Sequence, residues 1–388
     1  MGFARTKEHT DNKAIRKDRR DQLKKIVVKL GTGILSAGEG RIHSGRMTNL
    51  AQGIMDLRSS GIETILVSSG SIGLGMGKLG INERPRDLSL LRACASIGQC
   101  LLMNAWSEAF ESVGLIASQV LLTREDFKSR DRSKKVQETI STLLDQKVVP
   151  IVNENDSVSD EEIKFGDNDV LSALLASLGE AELLIILSTA RGLMTHPDAG
   201  DLVPFVAEIT PSIEQMAQGT RSPTAVGGMA TKIEAANIAT KLGCATFIGS
   251  GEKPQELGKI VNGQAEGTFF APCGLELNER KKWLAFFPSP KGSLHIDEGA
   301  CEAILLNGGS LLACGVSQVT GDFDKAEVVE IVNPSGKTIA RGITRFGKDE
   351  LLLIQGKANS EVLEAFPGRN RPEVVHRDHL APLQTNLD

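Results

Sequence analysis

Six short β-branched runs, separated by longer stretches of helical period, constrain this chain more than any other feature it has. The runs are KKIVVKL, ETILVSS, LIASQVLLT, KVVPIV, AELLIILST and CATFIG, and the helical stretches lie near 47–60, 88–113, 134–146, 170–178 and 229–242. Strands that are apolar at nearly every position are buried on both faces, and a parallel sheet with helices on each side provides that burial. From about Lys24 to Pro272 the expectation is therefore an α/β fold with a mainly parallel sheet. Past Leu277 the texture changes. Short pieces such as LHID, AEVVEIV, KTIARGI and PEVVHR are cut by Gly, Asn, Pro and Asp, which reads as a small β-rich second domain.

Composition narrows the class. With 388 residues, 40% of them hydrophobic and 24% charged, the chain has core enough for two or three ordinary globular domains. Residues 1–24 mix Lys and Arg with acids and lack the apolar stretch of a signal peptide, so they read as a disordered tail on a cytoplasmic protein without a membrane span. Cys94, Cys100, Cys244, Cys273, Cys301 and Cys314 show no Cys-x-x-Cys spacing and are expected as reduced core thiols, with no metal site or disulfide frame. A net charge of -5 argues against a dominant nucleic-acid surface.

The polar residues are concentrated where such a sheet binds ligands. Asn153, Glu154, Asn155 and Asp156 follow directly on KVVPIV and should emerge at the carboxyl end of a central strand. Gly166-Asp167-Asn168-Asp169 then opens VLSALLASLG, a helix with Asp or Asn as its cap. Lys29 lies inside an apolar strand and needs an anionic partner, and the Gly31-Thr32-Gly33 turn after it can bring backbone N–H groups against phosphate. Ser69-Gly70-Ser71 ends the second run and suits a carboxylate. Gly227-Gly228 opens a helix with Lys232 one turn in, which suits a nucleotide phosphate. Taken singly, each motif is equally a turn, a cap or a lysine reaching solvent. Their conjunction on one sheet carries the weight.

On VVKLGTG, LVSSGSIGLG, QVLLTREDF, VVPIVNENDSV, EIKFGDNDVLSALLA, GGMATKIEAA and GTFF, the chain resembles the glutamate 5-kinases of the amino-acid kinase family, from about Lys25 to His379. NERKKWLAF, IDEGACEAIL, VTGDFDKAEVVEI, IARGI and VVHRDHL resemble the PUA domain that many bacterial members carry. The resemblance implies an amino-acid-kinase-like α/β/α sandwich at residues 25–273 and a PUA-like domain at 277–383. It implies ATP-dependent phosphorylation of the side-chain carboxylate of L-glutamate, the first step of proline synthesis. Lys29 and Lys232 would neutralise charge on the transferred phosphoryl group, with Asp169 holding both lysines in place. Ser69, Asp156 and Asn168 would bind glutamate, Asp156 at the ammonium and the other two as donors to carboxylate oxygens.

Nucleotide contacts are implied for Lys29, Gly31, Thr32, Ser188, Thr189, Val226, Gly227, Gly228, Met229, Ala230, Thr231 and Lys232. Mg²⁺ would ride on ATP rather than on a dedicated protein site. Ser188-Thr189 stands where the family usually has Thr-Asp, and Ala225-Val226 where it has Gly-Thr; both departures fall on the nucleotide side. Proline is the expected inhibitor and a homo-oligomer the expected assembly. The alternatives are a kinase of another small acid and RNA binding through the PUA-like domain. The second is weakened by 13 Lys and Arg against 16 Asp and Glu between Glu276 and Asp388.

Overall fold

The computed structural model describes residues 23–38, 40–158, 167–196, 200–218, 228–273 and 279–383. The N-terminal tail and the expected nucleotide contacts Val226 and Gly227 lie outside them. The chain divides into two compact units, Met1–Asp126 with Asp131–Gly274, and Phe127–Arg130 with Leu275–Asp388.

In the first unit the strands are β1 (Lys25–Leu30), β2 (Glu63–Ser68), β3 (Ile116–Leu122), β4 (Val148–Glu154), β5 (Leu183–Ser188), β6 (Phe205–Val206), β7 (Ala245–Ser250) and β8 (Thr268–Phe270). They form one sheet in the order β3-β4-β2-β1-β5-β7-β8-β6. Every neighbouring pair is parallel except β7 with β8. The six apolar runs are β1 to β5 and β7. The chain lays β2 and β4 on one side of β1 and then crosses to place β5 on the other, so the strand order reverses around β1 and opens a crevice beyond the strand ends.

Side-chain alternation decides what that crevice contains. Ile26, Val28 and Leu30 belong to a buried cluster with Trp106 and Phe110 of the Leu88–Glu111 helix. With period two, Val27 and Lys29 then face the opposite layer, where the Asp167–Leu178 and Met229–Lys241 helices pack. The Leu88–Glu111 helix is long and apolar enough by composition to cross a membrane. Its Leu102, Trp106 and Phe110 nevertheless lie in the sheet's core, with Trp106 Nε1 donating to Ser68 Oγ at 2.9 Å.

A short helix, Ser71–Lys78, carries three glycines and gives no helical signal in the sequence. It exists because its backbone packs directly on the Leu88–Glu111 helix. A Cβ on Gly98 would stand 1.7 Å from the Ser71 carbonyl oxygen, and one on Gly75 1.9 Å from that of Cys94. Gly98→Ala must therefore separate the two helices, and it is expected to destabilise the unit by about 1–3 kcal/mol while shifting Ser71. Urea unfolding of the variant measures this, and a midpoint equal to that of the parent would contradict it.

The second unit has its own core, with Leu294, Val329, Ile331, Phe346 and Val375 among its buried residues. Its sheet runs β10 (Val316–Gly321), β9 (Gly292–Ile296), β11 (Val328–Val332), β12 (Thr338–Ile343) and β13 (Leu380–Pro382) in that order. LHID, AEVVEIV and KTIARGI supply β9, β11 and β12. PEVVHR is not a strand: it begins with Pro372, buries Val374 and Val375, and forms only an isolated bridge from Val375 to Leu311. The expectation of core thiols holds for Cys94, Cys244 and Cys301, whereas Cys100, Cys273 and Cys314 are exposed.

Candidate active site

Because β1, β2, β4 and β5 are parallel, their carboxyl ends meet at one edge of the sheet. Two groups of side chains gather there. The first is a buried ionic trio. Lys29 Nζ lies 2.5 Å from Asp169 Oδ1, and Lys232 Nζ lies 3.1 Å from Asp169 Oδ2, which also accepts from Thr231 Oγ1 at 3.0 Å. Exposure is 4% for Lys29, 1% for Asp169 and 6% for Lys232, so water screens these charges little. Asp169 was expected as part of a helix cap. It sits instead within the first turn of Asp167–Leu178, and its carboxylate is directed at the lysines.

Burial alone would raise the Asp169 carboxyl, but the two ammonium groups outweigh it and hold the group below the ordinary carboxylate range. Lys29 is lowered from the ordinary lysine value by burial, helped by Lys232 and opposed by Asp169. Within the trio two ammonium groups share one carboxylate, and this excess of cation over anion is complementary to an anionic ligand. Both Asp169 oxygens are engaged, so the trio offers no carboxylate for direct metal ligation. Among the described residues there is no cluster of His, Cys, Asp or Glu that could hold a metal.

Beside the trio lies the Gly31-Thr32-Gly33 turn. The Gly31 N–H donates to the Leu187 carbonyl at 2.9 Å, so this amide serves the sheet edge and is not free for a phosphate. A Cβ on Gly33 would meet Thr189 Cγ2 at 3.1 Å, and one on Gly31 would meet Ser188 Cβ at 3.8 Å. The turn thus lies against Ser188-Thr189, bringing the expected nucleotide residues of β1 and β5 together. Gly228 precedes the Met229–Lys241 helix that presents Thr231 and Lys232.

The second group is a hydrogen-bonded cluster of Ser69, Ser71, Asn153, Asp156 and Asn168. Asn168 Nδ2 donates to Ser69 Oγ at 2.7 Å and to Asn153 Oδ1 at 3.0 Å. Asn153 Nδ2 donates to Gln99 Oε1 at 2.9 Å and lies 3.5 Å from Ser71 Oγ, which donates to Asp156 Oδ2 at 3.4 Å. Both amide hydrogens of Asn168 are thereby engaged within the cluster. A cavity of about 210 Å³ adjoins the cluster, with Ser71, Gln99, Gln119, Glu154, Asn155 and Asp156 in its wall. Asn153 and Ser71 were visible as members of polar turns. Gln99 and Gln119 carry no local signal, because only the fold brings them to Asn153.

A sequence model of the Amino acid kinase family matches residues 24–250. The chain belongs to the amino acid kinase family. A model of the PUA domain matches residues 292–365, within the second unit. Curated relatives of this family member include the Glutamate 5-kinase of Moorella thermoacetica, 43% identical over 366 residues that make up 93% of this chain and 97% of that protein. The Glutamate 5-kinase of Syntrophotalea carbinolica is 43% identical over 371 residues, 94% of this chain and 99% of that one. Among solved structures, carbamate kinase from Giardia lamblia bound to AMP-PNP aligns with a TM-score of 0.46 at 17% identity, covering 64% of this chain and 98% of its own.

Proposed function

We propose that this amino acid kinase transfers the γ-phosphoryl group of ATP to the side-chain carboxylate of L-glutamate, giving L-glutamyl 5-phosphate and ADP, the first step of proline synthesis. The observation that carries the reading is the buried Lys29–Asp169–Lys232 trio beside a cluster rich in amide and hydroxyl groups at the same strand ends. Similarity along nearly the whole of both chains to relatives named Glutamate 5-kinase supports it.

The chemistry asks little of the protein beyond placement and charge. The attacking carboxylate is already ionised at neutral pH, so no general base has to remove a proton, and Asp169, locked between two lysines, is not available as one. One carboxylate oxygen forms a bond to the γ-phosphorus while the bond to the ADP oxygen breaks, and charge accumulates on the equatorial oxygens. Lys29 and Lys232 neutralise that charge from a desolvated setting. Asp169 keeps the ammonium groups apart and aimed. Mg²⁺, when bound through the phosphates, supplies further charge neutralisation. Gly31, Thr32, Ser188 and Thr189 line the nucleotide side, and Asp156 accepts from the substrate ammonium.

ADP release measured with L-glutamate, L-aspartate and N-acetylglutamate separates this reaction from other acid kinases, and L-glutamate should be preferred. Asp156→Ala should raise the glutamate KM about ten-fold or more through loss of a charged hydrogen bond, with a smaller change in kcat. Equal activity on all three acids, or an unchanged KM in the variant, would refute the assignment. Proline carries the same α-ammonium and α-carboxylate and is proposed to compete for this pocket. Inhibition that persists at saturating glutamate would place it elsewhere.

A further inference from the structure

The orientation of the amides in the pocket can be deduced, and it determines which substrate group Asn168 reads. The fixed point is a backbone donor. The Glu154 N–H donates to Asn153 Oδ1 at 2.9 Å, and a backbone N–H cannot be reversed. Asn153 Oδ1 is therefore an acceptor, and the atom that Asn168 turns toward it at 3.0 Å must be a donor, Nδ2. The same group donates to Ser69 Oγ at 2.7 Å, which uses its second hydrogen. In the other direction, Asn153 Nδ2 donates to Gln99 Oε1 at 2.9 Å, and Gln99 Nε2 donates to Gln119 Oε1 at 3.1 Å.

Asn153, at the centre of this relay, is 2% exposed, while its Gln99–Gln119 end reaches the surface. The relay leaves Asn168 Oδ1 buried with no hydrogen-bond partner among the described residues. A buried acceptor in that state is matched by a ligand that donates, and it repels a carboxylate. Ser69, accepting from Asn168, keeps its own hydroxyl hydrogen for a substrate oxygen. Asp156 joins the same cluster through Ser71. The cluster therefore carries two acceptors, a carboxylate and an amide oxygen, which suits a group carrying three N–H donors.

We propose that Gln99 is a positioning residue whose side-chain oxygen pins Asn153, and through it turns the Asn168 side-chain oxygen to accept from the α-ammonium of the substrate. This rests on the glutamate kinase reading above. Gln99 acts from the Leu88–Glu111 helix, and its own amide is held by Gln119 of β3, so the relay ties substrate recognition to the packing of that helix on the sheet edge.

The test uses the full chain and a pair of ligands that differ in the ammonium alone: L-glutamate as substrate and glutarate as competitive inhibitor. Asn168→Ala should raise the glutamate KM about ten-fold or more while changing the glutarate Ki less than about three-fold. Gln99→Leu should raise the glutamate KM with kcat within about two-fold, and Gln99→Glu, which keeps the acceptor and lets Gln119 turn its amide to donate, should restore the KM. In the Gln99→Leu, Asn168→Ala double variant the KM should equal that of Asn168→Ala alone, because both changes remove one contact.

Equal weakening of glutarate and glutamate by Asn168→Ala would show that Asn168 does not read the ammonium. Effects that multiply in the double variant would show that Gln99 acts independently of Asn168. Either result overturns the proposal. Should Asn168→Ala fail to fold by thermal melting, Asn168→Ser serves in its place. A parent enzyme that does not phosphorylate glutamate would instead refute the functional reading, so the two failures are distinct.

Discussion

Turnover of the Lys29→Ala and Lys232→Ala variants is expected to fall about 10²–10³-fold, with the glutamate KM changing less than about three-fold. The asymmetry follows from where the charges are needed. Both ammonium groups are paired with Asp169 in the resting protein, at 2.5 and 3.1 Å, so neither is required to attract glutamate into the cluster around Asp156. Their value rises as negative charge spreads over the transferring phosphoryl group, and an interaction made mainly in the transition state appears in kcat. Lys29→Arg should not rescue it, because the broad guanidinium does not fit a strand-interior site that is 4% exposed. Steady-state rates over a grid of ATP and glutamate check this. A large rise in the glutamate KM with kcat preserved would move the lysines from phosphoryl transfer to substrate binding.

How much of this was legible in the sequence varied with the range of the interactions involved. The strands β1, β2, β4, β5 and β7 were readable because burial on both faces leaves nearly continuous apolar runs, a local property, whereas the edge strand β3, buried only at Leu122, keeps its apolar residues at its two ends. The helix Ser71–Lys78 was not, since its glycines lower helix propensity and are explained only by the approach of Gly75 and Gly98 across two backbones. In the second unit β10, reading VSQVTG, is broken by Ser317, Gln318 and Thr320, and PEVVHR buries two valines with no more than an isolated bridge. Apolar content there reports burial, and the pairing partner is set by the fold.

The site divides in the same way. Lys29 stood out as a charge inside an apolar strand, and Asp169 and Lys232 stood near glycine turns, yet their meeting on one carboxylate follows from the layer that Lys29 faces. Asn168 was expected to donate to a carboxylate, and the hydrogen-bond directions underlie the proposal that its oxygen accepts from the ammonium instead. Gln99 could not be found from sequence, being a polar residue on a helix with no motif around it. Its significance comes from Asn153, 54 positions away in the chain.

Asp169→Asn should be the most destabilising single substitution in the site, and its effect should depend on pH at both ends. Removing the carboxylate charge takes from two buried ammonium groups the counter-charge they share, a loss of about 3–5 kcal/mol at neutral pH, which for a unit of this size lowers Tm by roughly 10 °C. In the parent, Asp169 is held below its ordinary value of 3.8. A carboxyl depressed in the folded state contributes stability that is fully present above its unfolded pKa and is lost as pH falls through the folded one. The gap between parent and variant should therefore narrow in acid, below about pH 4.

At the alkaline end the cause is Lys29, lowered from 10.5 by burial, with Asp169 acting to raise it. Without that carboxylate, Lys29 is lowered further. Between the folded and unfolded lysine values the unfolded chain binds more protons, so the stability of the variant rises with pH across that window and the gap narrows again. The alkaline limb of kcat should shift toward neutral pH in the variant for the same reason. Thermal melts from about pH 3 to pH 10 should thus show a destabilisation that peaks in the middle of the range. A constant difference across that range would mean that the cost of the substitution is one of packing, and that the two lysines are not held by this single charge.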